Sequence, residues 1–194
     1  MGRYDKKYLR CDTTAVRDTK VGGKEYTAVL NEELANGVLV TLEKGFVPSA
    51  IAKNTMIKQA SLPTASTSRL FLVFDPEINY KDDYQSDRQL GIHRIEANKP
   101  VAVVQLRNFD QITYSADYFK KDEGAGEIAV GDVFVQNEDG LLSYADGTTI
   151  KAEDYKVNFL VTKVDVSWKG IFYGVDGFEP ASYKLITVEV EIAE

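Results

Sequence analysis

Cys11 is the only cysteine and His93 the only histidine among the 194 residues. A single cysteine excludes an intrachain disulfide and a cysteine-based zinc site. A single histidine excludes multi-histidine metal centres and obliges any catalytic triad to use His93. That residue sits in Gly91-Ile92-His93-Arg94-Ile95, a predicted strand, and the nucleophile-elbow pattern GxSxG occurs nowhere. A hydrogen-bonded structural histidine is therefore the expectation. Cys11 lies beside Arg10 and Lys7, basic neighbours of the kind that lower a thiol pKa, but nothing brings His93 to it and an incidental thiol is expected. No apolar run reaches the roughly 18 residues of a membrane span. The opening MGRYDKKYLRCDTT has no apolar core of a secretory signal, and Lys6 stands where a myristoylation signal has Ser or Thr. Synthesis in a reducing cytoplasm is the expectation, with no membrane partner.

What the chain does have is ordinary globular composition, 44% hydrophobic and 27% charged, enough to bury a core. The formal net charge of −7 is unevenly placed. Residues 1–24 hold seven basic residues (Arg3, Lys6, Lys7, Arg10, Arg17, Lys20 and Lys24) against Asp5, Asp12 and Asp18, a balance of +4 that leaves −11 on the remainder. Those residues show no clean periodicity and end at Gly22-Gly23, so they read as an extended basic arm, held by a partner subunit, on an acidic body. The acidic body argues against nucleic-acid binding, which needs a positive footprint.

The body reads as β-structure. Alternation begins at Tyr26, and Val38-Leu39-Val40-Thr41-Leu42 has high strand propensity. Residues 49–60 read as a short helix after Pro48, followed by a polar loop over 61–68. Leu70-Phe71-Leu72-Val73-Phe74 is a continuous apolar run that suits a strand buried on both faces. Further strands are read over 90–97, 99–109 and 112–119. Val133-Phe134-Val135 and Leu141-Leu142-Ser143-Tyr144 flank a hairpin turn with Asp139-Gly140. The run 155–168 is rich in β-formers. In the last strand Ile186, Val188, Val190 and Ile192 alternate with Leu185, Thr187, Glu189 and Glu191, giving one buried and one wet face. The fold class is all-β, a barrel or sandwich of about ten short strands, as one domain or as two β units. The division is an arm over 1–24, a β domain over 25–120, and over 121–194 a second β unit or a continuation of the first.

One pattern occurs twice. Glu33-Leu34-Ala35-Asn36-Gly37 precedes Val38-Leu39-Val40, and Glu127-Ile128-Ala129-Val130-Gly131 precedes Asp132-Val133-Phe134-Val135. Either shared turn chemistry or an internal duplication explains five matched positions, and turn chemistry is the simpler reading. The glycine is placed where a chain reverses before a strand, a position that favours positive φ.

Few groups carry chemistry. Asp75, Glu77, Asp82, Asp83 and Asp87 are dense, but their spacing does not fit an EF-hand loop, so they read as a solvated loop and no metal is expected. The segment 168–178 holds Trp168, Phe172, Tyr173 and Phe178 among glycines. The glycines favour a close-packed loop over a regular strand. Aromatics on such a loop serve as core, as a sugar platform or as interface anchors. No catalytic residue and no cofactor is expected.

With its basic arm and the turns Glu-Leu-Ala-Asn-Gly-Val-Leu-Val (33–40) and Gly-Asp-Val-Phe-Val-Gln-Asn-Glu-Asp-Gly-Leu-Leu (131–142), the chain resembles the decoration, or cement, proteins of tailed-bacteriophage heads. The resemblance covers residues 25–45 and 125–150; residues 46–120 depart from the compact members of that family. It implies a structural virion protein, not an enzyme. Such a protein binds the outside of the capsid shell as a homo-oligomer and reinforces contacts between capsomers, with the major capsid protein and copies of itself as partners. Its partner-binding residues would be Arg3, Lys6, Lys7, Arg10, Trp168, Phe172, Tyr173 and Phe178. Two alternatives are a carbohydrate-binding module using the aromatic loop near Trp168 and the acidic loop near Asp82, and an enzyme using His93.

Overall fold

A computed structural model of the chain describes residues 9, 11, 12, 16, 25–48, 56–74, 95–169, 173, 174, 177, 178 and 182–193. Its strands are β1 (Cys11–Asp12), β2 (Glu25–Val29), β3 (Leu39–Leu42), β4 (Val47–Pro48), β5 (Met56–Ser61), β6 (Phe71–Val73), β7 (Val101–Gln105), β8 (Gln111–Ser115), β9 (Phe119–Lys120), β10 (Val133–Gln136), β11 (Leu142–Tyr144), β12 (Val157–Lys169), β13 (Tyr173–Gly174), β14 (Gly177–Phe178) and β15 (Ser182–Ile192). The helical residues described are three short 3-10 turns. The all-β expectation holds, in two sheet units.

The first unit is a sheet in the order β2-β7-β6-β3-β5-β4, closed into a barrel by a parallel pairing of β2 with β5. β6 lies between β7 and β3 with Phe71, Leu72 and Val73 all buried, and burial of both faces is why its sequence is apolar without alternation. The second unit has the order β1-β8-β15-β12-β10-β11-β9 and forms a curled half-barrel. β8 runs through the 3-10 turn Ala116–Tyr118 into β9, which pairs in parallel with β11 at the far side of the curl.

The two units repeat one topology. In both, a first strand (β2 or β8) pairs with the last (β7 or β15), and that strand pairs with the fourth (β6 or β12). The fourth pairs with the second (β3 or β10), and the second with the third (β5 or β11). Even the register agrees. Leu39 and Val40 face Leu72 and Phe71, as Val133 and Phe134 face Leu160 and Phe159. Val73 faces Val103, as Val161 faces Val188. Corresponding inward positions are buried alike: Val40 and Phe134, Phe71 and Phe159, Val73 and Val161, Val103 and Val188, Ala28 and Tyr114. The shared five-residue pattern of the sequence is thus one corner of a repeat that spans five strands. Strand positions tolerate any apolar side chain that fits, so only the turn kept a legible likeness.

Two expectations of local structure, over 49–60 and 90–97, are corrected, and two features of the layout are new. Met56–Ser61, read as the second half of a helix, is the strand β5, pairing with β3, β4 and β2. Its straight-chain residues favour helix locally, but three neighbouring strands and the burial of Ile57 and Ala60 decide otherwise. Residues 49–55 lie outside the described residues. The change of sheet falls in the turn over 106–110, between β7 and β8, ahead of residue 120. That turn has no glycine, so the sequence does not announce it. Of the strand read over 90–97, Ile95 forms a single bridge to Leu34 and 96–98 turn away; 90–94 lie outside the described residues. Finally, the described residues of the N-terminal segment pack on the chain's own body. Cys11 and Asp12 pair with Tyr114 and Thr113 of β8, and Leu9 and Val16 are buried in the core that both units share. Among the described residues, therefore, the second unit's sheet takes its strand β1 from ahead of the first unit and its other strands from after it.

Candidate functional site

Each turn of the repeated pattern is built by the same bonds. Val38 N–H donates to Ala35 O at 3.3 Å, and Asp132 N–H to Ala129 O at 3.1 Å. Gly37 N–H donates to Val73 O at 2.8 Å, and Gly131 N–H to Val161 O at 2.9 Å. The return bonds, Val73 N–H to Val38 O and Val161 N–H to Asp132 O, are 3.0 and 2.9 Å. Both glycines sit at the third position of the turn with positive φ, 79° and 95°, a conformation that side chains other than glycine resist.

Their surroundings are opposite. The first turn is gripped by the second unit: Tyr114 donates its hydroxyl to Gly37 O at 3.1 Å, and Tyr118 donates to Asn36 O. The two tyrosine rings are 4.4 Å apart, and a Cβ built on Gly37 would lie 2.5 Å from Cys11 Cβ. Burial, with Cys11 and Tyr118 adding to it, pushes the Tyr114 phenol well above the ordinary tyrosine range. A third seam bond, Leu39 N–H to Gly140 O at 2.8 Å, and a fourth, Gln136 Nε2 to Thr64 O at 3.1 Å, tie β10 and the hairpin turn after it to the first barrel. The second turn is exposed, with Val130 at 65%. It is held from within its own unit, where Asp132 accepts from Ala129 N–H at 2.9 Å and from Lys121 Nζ at 2.6 Å. That ammonium also donates to Glu127 O at 2.9 Å and stands 4.4 Å from the centre of the Tyr144 ring.

The aromatic segment near the C-terminus takes an unexpected form. β12 and β15 pair from Val157↔Ile192 to Lys169↔Ser182; β10 flanks β12 over residues 158–160 and β8 flanks β15 over residues 185–189, so the far end, Trp168↔Tyr183 and Lys169↔Ser182, is a two-stranded ribbon among the described residues. Register shifts between Val161 and Lys163 and between Asp165 and Trp168 interrupt the pairing. Trp168 stands opposite Tyr183. Farther along, Tyr173 pairs with Phe178 and Gly174 with Gly177 in the small ladder of β13 and β14. Trp168, Tyr173 and Phe178 therefore belong to paired strands, a correction to the loop reading: alternating pairing outweighs the glycines, which fall at the Gly174↔Gly177 pair beside the reversal. Phe172 lies outside the described residues, as do Arg3, Lys6, Lys7 and Arg10, His93, and the acidic cluster Asp75, Glu77, Asp82, Asp83 and Asp87.

Sequence reasoning missed the exposed apolar residues. Phe46 and Met56 flank the β4–β5 pairing, and Lys58 lies 4.0 Å from the centre of the Phe46 ring while donating to Gly45 O at 2.8 Å. Phe109 stands on the turn between the two units. A single aromatic in a polar stretch gives no periodic signal, so nothing in the sequence marks these three. A polar surface pocket of about 340 Å³, lined by Asp117, Lys120, Lys121 and Asp139 among others, lies beside the seam. Among the described residues no group of three or more His, Cys, Asp or Glu side chains is placed to hold a metal ion. Set against protein-family models, curated proteins and solved structures, the chain matches none of them.

Proposed function

We propose that the chain is a structural protein of a tailed-phage head, bound to the outside of the shell and bridging neighbouring capsomers. The observation that carries this reading is the repeated turn. The resemblance to decoration proteins rests on the two copies of that turn, and the copies share their hydrogen bonds, the sign of φ and their position ahead of a strand. Two β units joined by a buried seam make one stiff body, and a stiff body that touches several neighbours at once gains avidity without any single strong site. The exposed Phe46, Met56 and Phe109 supply separate contact points, and the end of the β12–β15 ribbon at Trp168 and the β13–β14 ladder at Tyr173 are the further ones this reading assigns.

This reading does not depend on an extended arm. Leu9, Cys11, Asp12 and Val16 belong to the body, so removing residues 1–20 would damage the fold and could not isolate attachment. The informative truncation stops before Leu9. Co-sedimentation of the purified protein with tailed-phage heads tests the reading: saturable binding at a fixed ratio to the major capsid protein is expected. Absence of binding, together with glycan affinity of the free protein that is lost on Trp168→Ala, would transfer the assignment to the carbohydrate-binding class.

A further inference from the structure

Because the two copies of the turn share their backbone bonds, what meets their outward carbonyls can be compared position by position. In the first copy Asn36 O accepts the Tyr118 hydroxyl and Gly37 O accepts the Tyr114 hydroxyl, so the tip of the turn is seated on the second unit. In the second copy the backbone takes the same course, with Gly131 N–H on Val161 O and Asp132 N–H on Ala129 O. Val130 O and Gly131 O therefore stand at the corresponding places. Among the described residues nothing donates to either of them. The side chain at the tip changes as well. Val130 replaces Asn36 and is 65% exposed, between the exposed Ala129 and Gly131.

The uncovered turn is held in shape from within its own unit. Asp132 accepts from Ala129 N–H and Lys121 Nζ, that ammonium also donates to Glu127 O, and Lys184 Nζ donates to the Glu127 carboxylate at 2.7 Å. A turn already fixed in shape loses little conformational freedom when something covers it. We infer that the turn at 129–131 is a docking element whose seat lies on another protein. That seat offers two neighbouring O–H or N–H donors to Val130 O and Gly131 O, and an apolar recess to the Val130 side chain. The chain's own seam supplies the pattern, since Tyr114 and Tyr118, with ring centres 4.4 Å apart, span the same two carbonyls of the first turn. A second copy of this chain does not supply the seat. Its Tyr114 and Tyr118 hydroxyls are given to its own first turn, and its first unit has the buried Ala28 where the second has Tyr114. The partner is a different protein; that it is the major capsid protein is the one clause that rests on the proposed function.

The test is co-sedimentation of the purified full chain with tailed-phage heads, titrated to saturation. Val130→Asp puts a charge into the apolar recess and leaves the bracing side chains in place. It should weaken binding by about 10-fold or more, with the thermal midpoint unchanged. Val130→Lys, of opposite sign, should weaken it likewise, which separates loss of the recess from long-range charge effects. Wild type and both variants binding equally would overturn the docking element and leave the proposed function standing, as would weakening by Val130→Asp without weakening by Val130→Lys. No binding by wild type would overturn the proposed function and the docking element with it. Loss of self-association in Val130→Asp, read by sedimentation equilibrium with head binding intact, would give the turn to a second copy and overturn the inference.

Discussion

Gly37 and Gly131 do the same backbone job and should pay differently for losing it. Both need positive φ, so alanine at either costs roughly 1–2 kcal/mol in conformational strain. At Gly131 the added methyl meets open space; at Gly37 it would meet Cys11 Cβ at 2.5 Å and the Tyr118 hydroxyl at 2.8 Å. Gly131→Ala is therefore expected to cost about 1 kcal/mol, and Gly37→Ala at least about 2 kcal/mol more, measured by urea unfolding of the two variants. Equal losses would mean that the seam gives way without cost. At the same seam, Tyr114 provides a pH-dependent term. Its folded pKa is raised by burial, so the stability it contributes is complete below the ordinary tyrosine value near 10 and is lost as pH rises from there through the folded value. Wild type should lose stability across that alkaline window, and Tyr114→Phe should lose less across it while starting about 1 kcal/mol lower at neutral pH for want of the bond to Gly37 O. Asp146 works in the opposite direction. Its carboxylate accepts from the backbone N–H groups of Thr148, Thr149 and Ile150, which holds its pKa well below the usual carboxylate range. Its contribution is present above the ordinary value near 4 and disappears as pH falls through the folded value, so the stability gap between wild type and Asp146→Ala should close in strong acid.

Among the elements, β1 is the one whose role the sequence concealed. The charges around it read as an extended basic arm, yet a two-residue strand and two apolar plugs, Leu9 and Val16, seat it against β8 and the shared core. Leu9→Ala should cost roughly 2–5 kcal/mol, the range for truncating a buried leucine, as read by denaturant midpoint; a loss under 0.5 kcal/mol would return the segment to the status of a loose arm. The strands themselves were legible where one face is wet, as in β15, because alternation is written into Ile186, Val188 and Val190. They were legible also in β6, where burial of both faces demands an unbroken apolar run. β5 was not, because its pairing with three strands is a long-range fact and its residues are locally neutral. The junction of the units escaped for a related reason: its turn uses Phe109 where a reader looks for glycine. The aromatic segment was found as a composition but not as a ribbon, since its pairing partner begins at Ser182, on the far side of the reversal.

As a whole, the molecule is one five-strand plan used twice, with the second copy's tyrosines closed over the first copy's turn and the first strand of the chain binding the pair. What distinguishes the copies is what covers them: the turn at 35–37 is inside and the turn at 129–131 is outside. A body of this kind presents surfaces, and the account assigns those surfaces to a capsid exterior. The direct test is electron cryomicroscopy of phage particles carrying this chain. The account predicts density for both β units on the outer face of the shell, astride capsomer boundaries and in contact with more than one copy of the major capsid protein. Particles whose outer surface lacks the chain, while it is recovered as a free protein from the same preparation, would contradict it.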